Sequence, residues 1–248
     1  MEKFYMKLAE RTIAVSANFA TTKEFCGEYL LDEIPSEVDI EVNVTPEEIE
    51  ITRKRVEQVM TESYTEAYLE RCAVHRLVAQ QLPKYGTVMF HGSAVALDGE
   101  VYLFTAPSGT GKSTHARLWR EFFCERVCMV NDDKPFLHAD EDGKVTVYGA
   151  PWDGKHHLSK NIALPLKGIC ILSQAKENKI ERLSTKEAFA KIYMQTFRQM
   201  DSTCMMNETL KVLNSIMHYP VWELECDVSL EAVKLSYEAM SGNTMEEK

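Results

Sequence analysis

The chain has 248 residues, enough for one large domain or one domain with a smaller appendage. Apolar residues make up 45% and charged residues 27%, an ordinary globular balance, and the net charge of −10 argues against duplex nucleic acid as a main partner. No apolar run reaches the ~20 residues of a membrane span, no signal-peptide core opens the sequence, and seven scattered cysteines without a C-x-x-C pair read as reduced thiols in a cytoplasmic protein.

In chain order, Val38 to Val44 alternates apolar and polar residues at period two and predicts a half-buried strand. Thr45-Pro46-Glu47-Glu48 starts a helix, with Thr45 as N-cap and Pro46 in its first turn. Ser63-Tyr64-Thr65-Glu66 is a capping-box pattern that opens a long helix to about Leu82, which Pro83 ends. The chain divides near Tyr85-Gly86. Residues 1–85 form a small α+β region without a chemical motif, suited to packing, assembly or recognition of a substrate or partner, and residues 86–248 form the second domain.

From Thr87 onward short apolar runs dominate. Val88–His91, Ala94–Leu97 and Val101–Thr105 read as strands, and Asp98-Gly99 is a hairpin turn between the last two. Val127–Val130, Val145–Tyr148, Gly168–Leu172 and Val221–Cys226 are further strands. Helices are predicted from a capping box at Ser184 to about Met200, over Thr209–Met217, and from about Ser229 to Met240. The expected class is α/β with a mixed, hairpin-rich sheet.

Between the strand Val101–Thr105 and the helix from His115 lies Ala106-Pro107-Ser108-Gly109-Thr110-Gly111-Lys112-Ser113-Thr114. This is a phosphate-cradling P-loop with Ala106 in place of its first glycine. Glycines let backbone N–H groups converge on an anion, and the helix N-terminus adds positive potential. Lys112 reaches the β- and γ-phosphates in such a loop, and Ser113 offers a hydroxyl to Mg²⁺. Ser108 to Thr114 are therefore the candidate nucleotide-binding residues.

Asn131-Asp132-Asp133-Lys134 follows an apolar strand directly, twenty residues beyond the P-loop lysine. Ligands bind at such strand ends in α/β sheets. Neighbouring side chains at an extended strand end point to opposite faces, so one carboxylate can serve a metal and the other a substrate hydroxyl. His91-Gly92-Ser93 puts a hydrogen-bonding imidazole at another strand end. Gly149 to His157 is a turn-rich loop in which Lys155 can neutralise developing charge, while Trp152 reads as a packing anchor and His156 and His157 are poor metal ligands. Cys124 and Cys128, four apart, lack a second pair for zinc.

These strings together resemble the catalytic domain of HPr kinase/phosphorylase, within the wider PEP-carboxykinase-like P-loop group. The chain looks closer still to small HPr-kinase-like proteins, over roughly residues 87–226, through His91–Ala96, Ser108–Thr114 with Leu118-Trp119, Asn131–Pro135 and Tyr148–Lys155. The resemblance implies an HPr-kinase-like P-loop fold and transfer of a phosphoryl group from ATP with Mg²⁺ to a serine-type hydroxyl. By the same resemblance Lys112 binds phosphate, Ser113 and Asp132 serve the metal, Asp133 is the general base, and His91 lies beside the reacting phosphate. It does not extend to the long N-terminal domain of full HPr kinases or to their basic segment after the acids. Neither HPr as substrate, nor reverse phosphorylase activity, nor a hexamer is therefore implied.

The expected partners are a nucleotide and a hydroxyl-bearing peptide, protein or small molecule, without nucleic acid or membrane. A homo-oligomer is compatible with the sequence. Two other readings stand beside the kinase: a nucleotide-binding sensor or scaffold, and a PEP-carboxykinase-like small-molecule enzyme. The second carboxylate at Asp133 counts against the sensor, and Arg117 and Arg120 do not form a recognisable carboxylate-binding set for the other.

Overall fold

The computed structural model describes residues 2–58 and 64–245. The chain forms two compact units, Met1–Tyr85 and Gly86–Lys248.

In the first unit β1 (Glu2–Leu8) and β2 (Arg11–Ala17) form an antiparallel hairpin. Phe4, Met6 and Leu8 alternate inward along β1, as Ile13, Val15 and Ala17 do along β2. After α1 (Ala20–Cys26), β3 (Ile40–Asn43) lies parallel to β2 with Val42 opposite Val15. The helices α2 (Pro46–Glu57) and α3 (Glu66–Gln81) complete the unit. Thr45 caps α2 as its sequence predicts. The cap of α3 is Thr65, which accepts from the Tyr68 N–H at 3.3 Å; the Ser63 of the expected capping box lies outside the described residues.

α1 has no side-chain cap of its own. The turn that leads into it is held instead by a buried carboxylate on α3. Glu70 accepts from the backbone N–H of Asn18 at 2.6 Å and of Phe19 at 3.0 Å, and from Thr22 Oγ1 at 2.7 Å. A buried polar side chain is tolerable only when it is hydrogen-bonded in this way.

The second unit is built on a curled, mixed sheet of nine strands. These are β4 (Thr87–Met89), β5 (Ser93–Leu97), β6 (Glu100–Thr105), β7 (Val127–Asn131), β8 (Phe136–Ala139), β9 (Val145–Tyr148), β10 (Ala163–Gln174), β11 (Lys179–Arg182) and β12 (Val221–Cys226). The long β10 organises it: Ala163–Pro165 pair with β9, Leu166–Ile171 run parallel to β6, and Ile169–Gln174 run parallel to β12. β5 is antiparallel to both β6 and β7. The carboxyl ends of β6 and β7 and the amino end of β5 therefore share one edge.

Alternate residues of the central strands feed two cores. Val101 and Leu103 of β6 join one with Ile192 of α5 (Thr185–Gln195) and Leu213 of α6 (Thr203–Ile216). Tyr102 and Phe104 join the other with Trp119 of α4 (Lys112–Phe123) and Val233 of α7 (Leu230–Ser241). Central strands buried on both faces read as continuous apolar runs. The hairpin turn is as expected, with Asp98 and Gly99 both at positive φ. Among the described residues no helix is long and apolar enough to cross a membrane.

Two helix boundaries differ from expectation. α5 ends at Gln195, because the chain then turns to bond β4: the Phe197 N–H reaches Met89 O at 2.9 Å. α6 begins at Thr203, six residues early, because Ser202 caps it.

Candidate active site

Ala106 is fully buried in the core beneath α4, its methyl group among Phe104 and Ala116. The first loop position points inward here, which is why it needs no glycine. The left-handed φ values fall at Gly109 and at Gly111, the N-cap of α4, where a Cβ would be strained. Both face open space, so backbone N–H groups and the helix N-terminus are left clear for an anion. Ser108, Gly109 and Ser113 are exposed, and Thr110, Gly111 and Thr114 are partly buried along the loop. Gln174 Nε2 bonds Thr110 O at 3.2 Å and ties the loop to the end of β10.

Lys112 is only 8% exposed, and its Nζ donates to Ala106 O at 3.2 Å. Burial lowers its pKa, while Asp133 and Asp132 act in the opposite direction. Those two carboxylates reach the lysine from the end of β7, across the shared sheet edge.

Asp132 is 6% exposed, and its Oδ1 accepts from Ser93 Oγ at 2.8 Å. Burial raises its pKa; hydrogen bonds from Ser93 and Ser113 and the charge of Arg120 offset this, and Asp133 adds to the rise. The loop after β9 closes on the other side of this carboxylate. A Cβ on Gly154 would lie 2.9 Å from Asp132 Oδ2, so only glycine permits this approach.

Asp133 points the other way. Its Oδ2 is paired with Lys134 Nζ, and its Oδ1 lies 3.7 Å from His91 Nε2. The His91 Nδ1–H donates to Gln195 Oε1 at 2.9 Å, and the His91 backbone N–H donates to Gln195 O at 2.8 Å. Burial lowers the His91 pKa, with Lys112 and Lys134 lowering it further against Gln195 and Asp133. The neutral ring thus has a bare Nε2. His91 Nε2 and Asp133 Oδ1 thus face each other across 3.7 Å, and a hydroxyl donor placed beside them meets an acceptor on either side.

Asn131 sets the orientation of both acids. Its Oδ1 accepts from the N–H groups of Asp133 at 2.9 Å and Lys134 at 2.6 Å, and its Nδ2 donates to Ala150 O and Trp152 O, both at 3.2 Å. One fully buried amide therefore bends the chain after β7 and holds the Pro151 loop against it. Trp152 is buried in that loop. Lys155 is exposed one residue beyond Gly154, and its ammonium has no ion-pair partner among the described residues. His157 pairs with Asp153 at 2.8 Å, bracing the loop.

The structure thus gathers Lys112, Asp132, Asp133 and His91 at one edge and places Lys155 on the surface of the neighbouring loop. The spacing of motifs in the chain gave no sign of Gln195, 104 residues from its His91 partner. Ser93 and Asn131 stand inside the strings that drew attention, but their roles as braces appear only in three dimensions. The described residues contain no cluster of three or more His, Cys, Asp or Glu side chains able to hold a metal. A site for Mg²⁺ would need fewer protein ligands, since that ion takes one or two carboxylates and completes its shell with phosphate oxygens and water; Asp132 with the Ser113 hydroxyl fits that requirement.

A family model described as SynChlorMet cassette protein ScmC matches residues 59–229, well over half of the chain. No curated protein matches it by sequence. Among solved structures, the HPr(Ser) kinase/phosphatase from Coxiella burnetii is similar at 10% identity, over 62% of this chain and 95% of that one. Its TM-score is 0.34, too low for the likeness to carry an argument.

Proposed function

The chain belongs to the family of SynChlorMet cassette protein ScmC, and we propose that it is an ATP-dependent phosphotransferase that moves the γ-phosphoryl group to a hydroxyl, foremost a serine of a peptide or protein. The observation that carries this reading is the convergence of two acids with different surroundings on a P-loop lysine. Asp132 is buried, held by Ser93 and touched by Gly154; Asp133 is half-exposed and faces His91. A site that only held nucleotide would need one such acid.

In this reading Gly109 to Thr114 cradle the phosphates through backbone N–H groups, and Lys112 leaves the Ala106 carbonyl to meet the β- and γ-phosphates. Ser113 and Asp132 would hold Mg²⁺, which when bound neutralises charge on the phosphate oxygens. The acceptor hydroxyl donates its hydrogen bond to Asp133 Oδ1, in the gap before His91 Nε2. As the acceptor oxygen attacks the γ-phosphorus, Asp133 takes the hydroxyl proton and the bond to the β-γ bridging oxygen breaks. Lys134 pairs with Asp133 Oδ2 and leaves Oδ1 for that step, and Lys155 swings in from the surface to face the transferred group. Most of the acceleration comes from alignment and charge stabilisation.

The test is incubation with γ-labelled ATP and cell extract. Wild type should label an acceptor, and Asp133→Asn should bind ATP but label nothing. Labelling by the variant at the wild-type rate would remove Asp133 from the chemistry.

A further inference from the structure

We propose that the cavity beside the P-loop is a ribonucleoside subsite, in which Leu118, Leu172 and Val228 enclose the base of the donor and Asp227 accepts hydrogen bonds from its ribose hydroxyls. The inference rests on the reading of the P-loop as a triphosphate site, and adds what lies beyond the phosphates.

The cavity measures about 410 Å³ and shares Gly109, Thr110 and Gly111 with the P-loop. That volume lies within the range of small-molecule sites. A molecule with its phosphates on the loop therefore has a continuous path into it. Its far wall comes from the carboxyl ends of β10 and β12, where ligands of α/β sheets bind.

The lining is divided by chemistry. Leu118 of α4 and Leu172 of β10 supply an apolar floor. Val228, on the rim, is 70% exposed. A planar base inserted here would cover an apolar side chain that now meets water.

Asp227 stands next to Val228 on the same rim. Its backbone N–H is engaged by Asn178 Oδ1 at 2.9 Å, which fixes the turn, and its Oδ1 accepts from Ser229 Oγ at 2.5 Å. Hydrogen bonds from Ser229 and Asn178 keep its pKa below the usual carboxylate range. It is thus an ionised acceptor with lone pairs to spare, since a carboxylate offers about four acceptor sites. The phosphate cradle, the carboxylate and the apolar side chains line one cavity, and a nucleotide, whose ribose joins triphosphate to base, engages all three.

Calorimetric titration of the full chain with ATP, 2′,3′-dideoxy-ATP and inorganic tripolyphosphate, all with Mg²⁺, tests the assignment. ATP should bind about tenfold or more tightly than the dideoxy analogue, as expected for hydroxyls bonded to a charged acceptor. Asp227→Ala should abolish that gap and leave tripolyphosphate unchanged. Leu118→Trp, which fills the slot, should weaken both nucleotides and spare tripolyphosphate. Equal affinity for ATP and its dideoxy analogue in wild type would overturn the role of Asp227. Equal affinity for all three would overturn the subsite while leaving the P-loop reading intact. Failure to bind even tripolyphosphate would overturn that underlying reading as well.

Discussion

His115 makes the loop helix sensitive to acid, by an amount that follows from its surroundings. It is 3% exposed behind the P-loop, and burial pushes its pKa down to about 4. Ser236 Oγ donates to Val233 O at 2.9 Å and accepts from Trp119 Nε1 at 2.9 Å, so the 3.0 Å contact with His115 is donated by the imidazole Nε2–H. A second ring proton would be buried against the apolar layer. The unfolded imidazole titrates near 6.5. The folded state binds fewer protons, so the stability from this group is complete above pH ~6.5 and is lost as pH falls toward the folded value. At pH ~5 the unfolded ring favours protonation about thirtyfold and the folded ring disfavours it about tenfold, a cost of about 2 kcal/mol that rises to roughly 3 kcal/mol well below the folded pKa. The assay is urea unfolding at about pH 7.5 and about pH 5 for wild type and His115→Gln, which keeps an N–H for Ser236 but cannot titrate. His91 has a lowered pKa and Asp132 a raised one, but both are common to the two proteins and cancel in the difference. Wild type should lose about 2 kcal/mol more than the variant. Equal losses would refute the neutral, buried imidazole.

Lys112→Ala should weaken triphosphate binding by at least about tenfold in calorimetry, because it removes a buried cation from the phosphate cradle; unchanged affinity would sink the P-loop assignment. Asp133→Asn should retain nucleotide affinity while transfer falls on the order of 10²–10⁴-fold. Gly154→Ala would place a methyl group 2.9 Å from Asp132 Oδ2; the displaced carboxylate should raise the Mg²⁺ concentration needed for half-maximal transfer. Gln195→Leu frees the His91 ring from its 2.9 Å partner and should depress transfer without altering ATP affinity, read as a fall in kcat at constant Kd.

The parts of this site that were legible in the sequence are those made by local chain geometry. Gly109, Gly111 and Lys112 act through a loop whose conformation neighbouring residues dictate, and the Asp-Asp pair announces itself by following an apolar strand. The hairpin at Asp98-Gly99 is equally local, because two residues at positive φ select their own turn type. The strands β1 and β2 carry the same alternation that reveals β3, but the turn between them is built on Ala9 and Glu10 at positive φ, residues that give no turn signal. β11, Lys179–Arg182, has one apolar residue among three charged ones, so no apolar run marks it. What stayed hidden is held by distant partners. Gln195 meets His91 only because the chain after α5 turns back along β4, and Glu70 holds the entry to α1 some fifty residues upstream of it.

The division of labour between the two acids depends on one residue that belongs to neither. Asn131 accepts the Asp133 and Lys134 N–H groups on one side of its amide and grips the Ala150 and Trp152 carbonyls on the other. The same amide therefore turns Asp133 toward His91 and holds the loop that brings Gly154 onto Asp132. Buried amides of this kind are costly unless every bond is made, and here two donations and two acceptances are made. The orientation of the acid facing His91 and the enclosure of the acid beside Ser113 are thus fixed together, so a disturbance of the Pro151 loop should reach both carboxylates through Asn131 without touching the P-loop.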